Sequence, residues 1–296
     1  MKVVLFCGGL GMRIREAGEN TPKPMVHVGD RPILWHIMKY YAHFGHKDFI
    51  LCLGYRAGVI KNYFINYSEL VSNDFILLNG GRDVRVSNRD IEDWTITFVD
   101  TGANCNIGQR LKSVERYLGD DEVFLANYSD NVTDFHLPEL IAALEREKRT
   151  AAFLCVRPSF SCHHVSVGNG GLVEEIRSLG DSDIWINGGY FVFKRSIFEY
   201  IKAGEELVRE PFERLISAKQ LMGHRYDGFW KSMDTFKERQ ELEELYSKGA
   251  APWELWKRAA NAEKVDNARS RWWGGLSVVK AVDHHLDRLR ADLIRE

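Results

Sequence analysis

The strongest constraint on the fold is the order of the predicted elements, because short apolar runs alternate with segments of helical periodicity throughout the first half. Residues 2–7 form an unbroken apolar run after Lys2, closed by Gly8-Gly9, as expected of a strand buried on both faces. Residues 32–44 carry apolar side chains at helical spacing behind a proline in the first turn. The same criteria predict strands at 48–53, 94–99, 123–126 and 151–156, and helices at 57–64, 110–118 and 137–147.

This order predicts an α/β fold in which helices flank a mixed, mainly parallel central sheet, similar to a Rossmann fold. Ligands of such sheets bind at the carboxyl ends of the strands, so we expect the chemistry in the loops after residues 7, 53, 99 and 126. The second half is less regular. It predicts a small antiparallel β addition and three more helices, from strands at 164–177, 185–193 and 224–227 and helices near 195–202, 211–219 and 235–247.

The 296 residues accommodate one large domain, predicted as residues 1–250, and a smaller C-terminal extension, 251–296. The extension is rich in tryptophan, which favours core or subunit contacts, and ends in a charged amphipathic helical pattern. Residues 68–93 form a polar insertion between strands. A net charge of −2 argues against wholesale nucleic-acid or membrane binding. Five scattered cysteines without C-x-x-C spacing indicate reduced thiols and a cytoplasmic protein.

The loop after the first strand is the strongest functional pattern. It reads Gly-Gly-Leu-Gly-Met-Arg at residues 8–13, followed by Thr-Pro-Lys-Pro-Met at 21–25. Glycines directly after a buried strand let backbone N–H groups surround an anion, and Arg13 and Lys23 could neutralise a polyphosphate. The pattern is neither a Walker A loop nor a dinucleotide fingerprint. The alternative is a glycine-rich turn whose two cations are merely solvated.

With the Pro-Lys-Pro-Met segment and the helix that follows, this loop resembles the sugar-1-phosphate nucleotidylyltransferase family, and most closely its glucose-1-phosphate cytidylyltransferases. The resemblance continues over residues 1–257 through motifs at 54–67, 100–102, 108–114, 130–134, 186–193, 228–235 and 248–256. It implies the nucleotidyltransferase fold, a homo-oligomer, and Mg²⁺-dependent transfer of CMP from CTP to glucose 1-phosphate. CTP rests on the resemblance alone, because no residue by itself selects the base.

The resemblance also implies roles on the nucleotide side. Gly8, Gly9 and Gly11 match the nucleotide-binding loop. Arg13 and Lys23 match residues on the triphosphate and would act in catalysis, and Arg110 matches a residue near the nucleotide.

The metal site implied by the resemblance consists of two carboxylates, Asp130 and Asp234. Oxygen ligands of this kind suit Mg²⁺, and in-line displacement at phosphorus depends mainly on positioning and charge neutralisation. Taken alone, Asp130 would cap a loop and Asp234 would cap the helix that starts at Thr235.

On the acceptor side, the resemblance places Asn187 and Gly188 in the sugar-contacting segment and Glu210 on sugar hydroxyls. Two departures concern the phosphates. Met12 stands where the family usually has threonine, and the family's lysine before the Asn-Gly-Gly strand is absent, which leaves Arg177 as a substitute. His163 and His164 lie in the same altered region, where a strand-edge pair is favoured over an acceptor or metal contact.

These departures keep several alternatives open. The chain could use UTP, dTTP or GTP, or a different phosphorylated acceptor. It could be a glycosyltransferase of the similar nucleotide-sugar fold, or a non-catalytic regulator that binds a nucleotide or a nucleotide sugar.

Overall fold

The first apolar run lies in the middle of a seven-stranded sheet. In the computed structural model, which describes residues 1–9, 21–87, 89–159 and 163–258, this strand pairs in parallel with a neighbour on each side. The fifteen strands of the described residues are β1 Lys2–Phe6, β2 His27–Val28, β3 Arg31–Pro32, β4 Asp48–Leu53, β5 Phe75–Leu78, β6 Asp83–Val86, β7 Thr95–Asp100, β8 Val123–Asn127, β9 Asn131–Thr133, β10 Ala151–Val156, β11 His163–Val167, β12 Val173–Ser178, β13 Ile186–Lys194, β14 Leu221–Tyr226 and β15 Trp230–Ser232.

The sheet has the strand order β14-β10-β13-β8-β1-β4-β7. Strand β13 runs antiparallel to β8 and β10, and the other pairs of neighbours are parallel. The prediction of a mixed, mainly parallel sheet is therefore confirmed. Six strands end at the same edge, which brings together the loops in which the chemistry is expected.

Helices cover both faces of the sheet. On one face, Leu111 and Val114 of the fourth helix pack in the main core with Val4 and Phe6. On the other face, Tyr41 of the first helix stacks on a tyrosine of β13, with ring centroids 6.0 Å apart. The helices are α1 Ile33–His43, α2 Ala57–Ile65, α3 Glu69–Ser72, α4 Ile107–Val114, α5 Leu137–Glu147, α6 Glu210–Ser217 and α7 Phe236–Ser247.

The pairs β2–β3, β5–β6, β9–β15 and β11–β12 form four small sheets of two strands each. Of the strands predicted for the antiparallel addition, the segment 164–177 forms the β11–β12 hairpin. The segments 185–193 and 224–227 instead belong to the central sheet as β13 and β14, and β14 runs parallel to β10, so this part of the prediction is wrong. The insertion at residues 68–93 contains α3 and the β5–β6 hairpin, which its polar composition did not indicate. All four residues of β5 are exposed, so no alternating burial pattern marks this strand.

Two predicted helices differ from the observed elements. The segment 195–202 forms only a 3-10 turn, Arg195–Glu199, in which Ile197 and Phe198 are buried. Helix α4 starts three residues before its predicted start, because Asn106 and Gln109 form a capping box ahead of the apolar positions.

Met1–Trp253 forms one compact unit, and residues 254–258 belong to a second one. Trp253 is 1% exposed and its indole N–H donates to Nδ1 of His36 at 3.3 Å, so this tryptophan is a core residue, as predicted. Trp272, Trp273 and the predicted terminal helix lie outside the described residues. None of the helices described is long and apolar enough to cross a membrane.

Candidate active site

The loop after β1 lies on a buried arginine. Arg110 is 2% exposed, and its guanidinium donates to the carbonyl oxygens of Gly8 at 2.9 Å and Leu53 at 3.2 Å, and to Thr101 Oγ1 at 2.7 Å. Leu53 is the last residue of β4, and Gly8 and Thr101 come shortly after β1 and β7, so one side chain ties the ends of three adjacent strands together. A Cβ atom on Gly8 would lie 1.9 Å from a guanidinium nitrogen, which explains the glycine.

Arg110 therefore lies beneath the loop predicted to bind the nucleotide, with its donors occupied by protein acceptors. We expect Arg110→Met to lower the free energy of unfolding by about 3 kcal/mol, because several buried acceptors lose their donor. Urea denaturation measures this loss. The exposed Arg116 of the following turn is the matched control, and Arg116→Met should change stability by less than about 0.5 kcal/mol. Equal losses in both variants would contradict the proposed positioning role.

A strained turn after β8 presents Asp130. Ser129 is fully buried with φ of 62°, and its N–H donates to Asn127 Oδ1 at 2.7 Å. The Ser129 hydroxyl lies 2.7 Å from the carbonyl oxygen of Phe6, at the end of β1. Positive φ is uncommon outside glycine and is held by surrounding contacts. These contacts fix the turn and project the Asp130 side chain beyond the carboxyl edge of the sheet.

The short ladder between β9 and β15 brings the second aspartate to the same place. Ser232 pairs with Asn131, and the N–H of Met233 donates to the carbonyl oxygen of Asp130 at 2.9 Å. Asp234 therefore follows β15 next to the residue that precedes β9.

The helix-cap interpretation of Asp234 is wrong, because the adjacent threonine fills that role. Thr235 is the N-cap of α7 and forms a capping box with Glu238. The Glu238 carboxylate also accepts the N–H of Asp234 at 2.7 Å, which leaves the Asp234 carboxylate outside the cap.

Lys23 lies between the two carboxylates. Its ammonium is 2.7 Å from Asp130 Oδ2 and 2.6 Å from Asp234 Oδ1, and only 13% of its side chain is exposed. The lysine starts a 3-10 turn, Lys23–Met25, whose Pro24 and Met25 are buried and anchor it. Residues separated by more than a hundred positions in sequence thus form one charged cluster, the Lys23–Asp130–Asp234 cluster.

Burial and charge act in opposite directions in this cluster. Burial raises the pKa of Asp130 above its ordinary value, and although Lys23 lowers it, the net shift is upward, with Asp234 adding to the rise. Burial alone would lower the pKa of Lys23, but the attraction of Asp130 and Asp234 raises it overall. The site therefore favours the charged form of Lys23, whereas the ionisation of Asp130 costs free energy that its attraction to Lys23 offsets only in part.

The two aspartates fit a magnesium site completed by substrate. Their oxygens already converge on one cationic atom, and Mg²⁺ prefers one or two carboxylates together with phosphate oxygens and water. The described part of the chain has no group of three or more His, Cys, Asp and Glu side chains that could hold a metal ion. Water and phosphate oxygens are the other ligands that such a two-carboxylate Mg²⁺ site takes.

The predicted sugar segment enters β13 one strand away from the cluster. Asn187 Nδ2 donates to the hydroxyl of Tyr128 at 3.0 Å, and the carbonyl of buried Gly188 accepts the indole N–H of Trp230 at 2.8 Å. Glu210 is exposed at the start of α6.

The other predicted residues lie away from the cluster or outside the residues that the structure describes. Arg177 is exposed on the β11–β12 hairpin and pairs with Glu175 at 2.6 Å. His163 and His164 occupy the start of β11, opposite Ser178 and Arg177. Gly9 is exposed at the end of the described part of the first loop. Gly11, Met12 and Arg13 lie outside the described residues, and so does Cys162.

Tyr128 and Ser129 were not singled out from the sequence. They lie between the end of β8 and Asp130. The signal in the sequence that could have pointed to them is an aromatic residue and a hydroxyl residue between a buried strand and a carboxylate suited to a metal. Burial raises the pKa of Tyr128, while the bond with Asn187 opposes that rise, so the hydroxyl stays protonated and available for hydrogen bonding.

Residues 2–238 match the family described as nucleotidyl transferase. The chain belongs to the nucleotidyl transferase family. This nucleotidyl transferase is 39% identical over 259 residues to a glucose-1-phosphate cytidylyltransferase of Salmonella typhi, which covers 86% of the chain and 100% of the relative. It is 34% identical over 258 residues to a probable glucose-1-phosphate cytidylyltransferase of Bacillus subtilis (strain 168), again with 86% and 100% coverage. The sequence-based family assignment is confirmed.

Solved structures show the same fold. A putative glucose-1-phosphate thymidylyltransferase of Bacillus anthracis superposes with a TM-score of 0.60 at 17% identity, covering 83% of this chain and 94% of that one. A UTP-bound UGPase of Acinetobacter baumannii superposes with a TM-score of 0.62 at 17% identity, covering 88% and 98%. At this identity the likeness supports the nucleotidyltransferase fold and leaves the substrates to the site.

Proposed function

We propose that this nucleotidyl transferase transfers CMP from CTP to glucose 1-phosphate, with Mg²⁺, and releases pyrophosphate. The observation that carries the proposal is the Lys23–Asp130–Asp234 cluster at the carboxyl edge of the sheet, beside the loop that holds Gly8. The glucose-1-phosphate cytidylyltransferases that match over their full length support the choice of CTP and of glucose 1-phosphate.

The reaction is an in-line displacement. An oxygen of the acceptor phosphate bonds to the α-phosphorus, the bond from that phosphorus to the bridging oxygen of the β-phosphate breaks, and pyrophosphate leaves with the electron pair. The attacking phosphate is already anionic, so no general base is required. A magnesium ion held by Asp130 and Asp234 would supply positive charge at the α-phosphate.

The protein's own residues have to bring two anions together. In our proposal Lys23 neutralises the phosphates beside the carboxylate pair, and Arg13 adds charge from the first loop. Gly8, Gly9 and Gly11 supply backbone N–H groups to the triphosphate. Asn187 and Gly188, with Glu210, orient the sugar.

The proposal includes the cellular compartment and the oligomeric state of the protein. We place it in the cytoplasm, where the four described cysteines stay as free thiols, as they are in the structure. We expect a homo-oligomer, in line with the family resemblance.

The test is pyrophosphate release with Mg²⁺ across CTP, UTP, dTTP, ATP and GTP, each against a panel of sugar 1-phosphates. Turnover of glucose 1-phosphate that is faster with CTP than with the other nucleotides supports the proposal. Turnover that occurs only with another nucleotide, or only with acceptors other than glucose 1-phosphate, keeps the chemistry and changes the substrates. Nucleotide binding without pyrophosphate release from any pair would indicate a regulator or a glycosyltransferase and reject the proposal.

The pH dependence should separate activity from folding. Asp130 has to be ionised to hold a cation, and its pKa is raised, so kcat/KM should fall on the acid side at a pH above the ordinary range of aspartate. Because the folded pKa exceeds the unfolded one, protonation of Asp130 adds stability as the pH falls. Activity should therefore disappear while circular dichroism still shows a native protein. An acid limb at the ordinary aspartate value would contradict the assignment.

A further inference from the structure

Three neighbouring strands place a row of side chains beside the predicted sugar segment. In the register of the sheet, Cys155 of β10 lies between Asn187 of β13 and Arg225 of β14. Residues paired across strands project from the same face, so the three side chains lie in one row. Tyr128 extends the row toward the Lys23–Asp130–Asp234 cluster through its hydrogen bond with Asn187. We call Tyr128, Asn187, Cys155 and Arg225 the acceptor row.

The side chain of Arg225 leans over this row. Its guanidinium carbon lies 5.3 Å from the ring centroid of Trp185, which is two residues before Asn187. The arginine therefore reaches from the edge strand β14 across β10 toward the start of β13. Its charge also acts on Cys155, lowering a thiol pKa that burial raises overall.

A second arginine supports the same tryptophan but is already neutralised. The guanidinium carbon of Arg157 lies 4.2 Å from the Trp185 centroid, and Arg157 also pairs with Asp227 at 3.2 Å and donates to the carbonyl of Ser182. For Arg225, by contrast, no carboxylate within ion-pair distance is found among the residues that the structure describes. Arg225 is exposed, so its donors can meet a ligand.

The position of Arg225 determines which part of the acceptor it meets. The reacting phosphate has to lie at the cluster beside β8, and β14 is three strands away, roughly 14 Å at the usual spacing of neighbouring strands. Between them lie the hydroxyl of Tyr128 and the amide of Asn187, with the negative charge of Glu206 acting on Tyr128. Neutral sugar hydroxyls are suited to contact Tyr128 and Asn187 in the middle of the row. An anionic group is suited to contact the guanidinium of Arg225 at its far end.

We infer that Arg225 binds an anionic group on the acceptor sugar at the end remote from its 1-phosphate, either a carboxylate or a second phosphate. Arginine matches both groups through paired N–H donors, and Trp185 holds the guanidinium in place. The inference rests on the proposed function, since it takes the cluster as the place of the reacting phosphate. It makes Arg225 a specificity-determining residue for sugar phosphates that carry a second negative charge.

The experiment compares three acceptors with CTP and Mg²⁺: glucose 1-phosphate, glucuronic acid 1-phosphate and glucose 1,6-bisphosphate. We expect kcat/KM for at least one of the two acceptors with a second anionic group to exceed that for glucose 1-phosphate by about tenfold or more. A factor of this size is the effect of one charge-assisted hydrogen bond. Arg225→Gln should lower this ratio by the same factor, and Arg225→Glu should lower it further.

Arg146→Gln is the matched control, because it removes the same charge from a 70% exposed arginine at the end of α5, which lies near Leu221 at the start of β14 and away from the acceptor row. It should keep the wild-type ratio. A wild-type ratio at or below one, or a ratio that Arg225→Gln leaves unchanged, overturns the inference. Glucose 1-phosphate turnover in the same assay tests the proposed function separately. If no transfer is detected with any acceptor, binding of the three sugar phosphates to the enzyme with a non-hydrolysable CTP analogue is measured by calorimetry. The ratio of their affinities then replaces the ratio of kcat/KM values.

Discussion

Asp130→Asn should lower the rate of nucleotidyl transfer by about a thousandfold or more without unfolding the protein. The amide keeps the size of the side chain and removes its charge, so one of the two anionic metal ligands is lost. Burial raises the pKa of Asp130 even beside Lys23, which means that ionising this carboxyl costs the folded state free energy. We therefore expect the melting temperature of Asp130→Asn to be equal to or higher than that of the wild type.

Two measurements make this expectation specific. Binding of Mn²⁺ in the presence of CTP, followed by electron paramagnetic resonance, should weaken together with the rate. Asp93→Asn is the control, because Asp93 also pairs with a lysine, Lys47, but is 62% exposed, and this variant should keep both activity and metal binding. Normal Mn²⁺ binding by Asp130→Asn, or a wild-type rate, would remove Asp130 from the metal site.

Local chemistry explains why much of the fold was predictable. Strand β10 and helix α5 were predicted with the bounds that the structure shows, since the strand is an unbroken apolar run and the helix starts with Leu-Pro before apolar positions at helical spacing. Strand β5 was missed because its four apolar residues are all exposed and do not alternate with polar ones, so no periodicity marks it.

The contacts within the site join distant parts of the chain, so local sequence patterns did not predict them. The family resemblance implied a metal site at Asp130 and Asp234, but their closeness depends on the pairing of β9 with β15, two strands of three residues each. Likewise, Arg110 lies in an ordinary helical pattern, and nothing in that spacing reveals that its acceptors are carbonyls at three strand ends. Whether the predicted residues bind nucleotide, sugar and metal stays a prediction.

Lys23→Met should lower the transfer rate by several powers of ten and, at the same time, tighten the binding of Mg²⁺ to the nucleotide-free enzyme. The lysine ammonium is the cation that the two carboxylates share, at 2.7 and 2.6 Å. Its removal leaves two carboxylates facing each other, which lowers stability and creates a site that a divalent cation can neutralise. Thermal unfolding as a function of Mg²⁺ measures both effects: a lower melting temperature without the metal and a recovery with it.

Lys39→Met is the matched control for this variant. Lys39 is also largely buried, with 18% of its side chain exposed, and pairs with Asp90 at 3.0 Å away from the site. Its loss should lower the melting temperature without any recovery in Mg²⁺. If Lys23→Met behaves in the same way, the two aspartates do not form a metal site. If only Lys23→Met recovers, Lys23 and Mg²⁺ compete for the same carboxylates, and the lysine has to move onto the phosphates of the nucleotide when the metal binds. In that case the cluster is a preorganised exchange site, in which the arriving nucleotide brings both the remaining metal ligands and the new partner of Lys23.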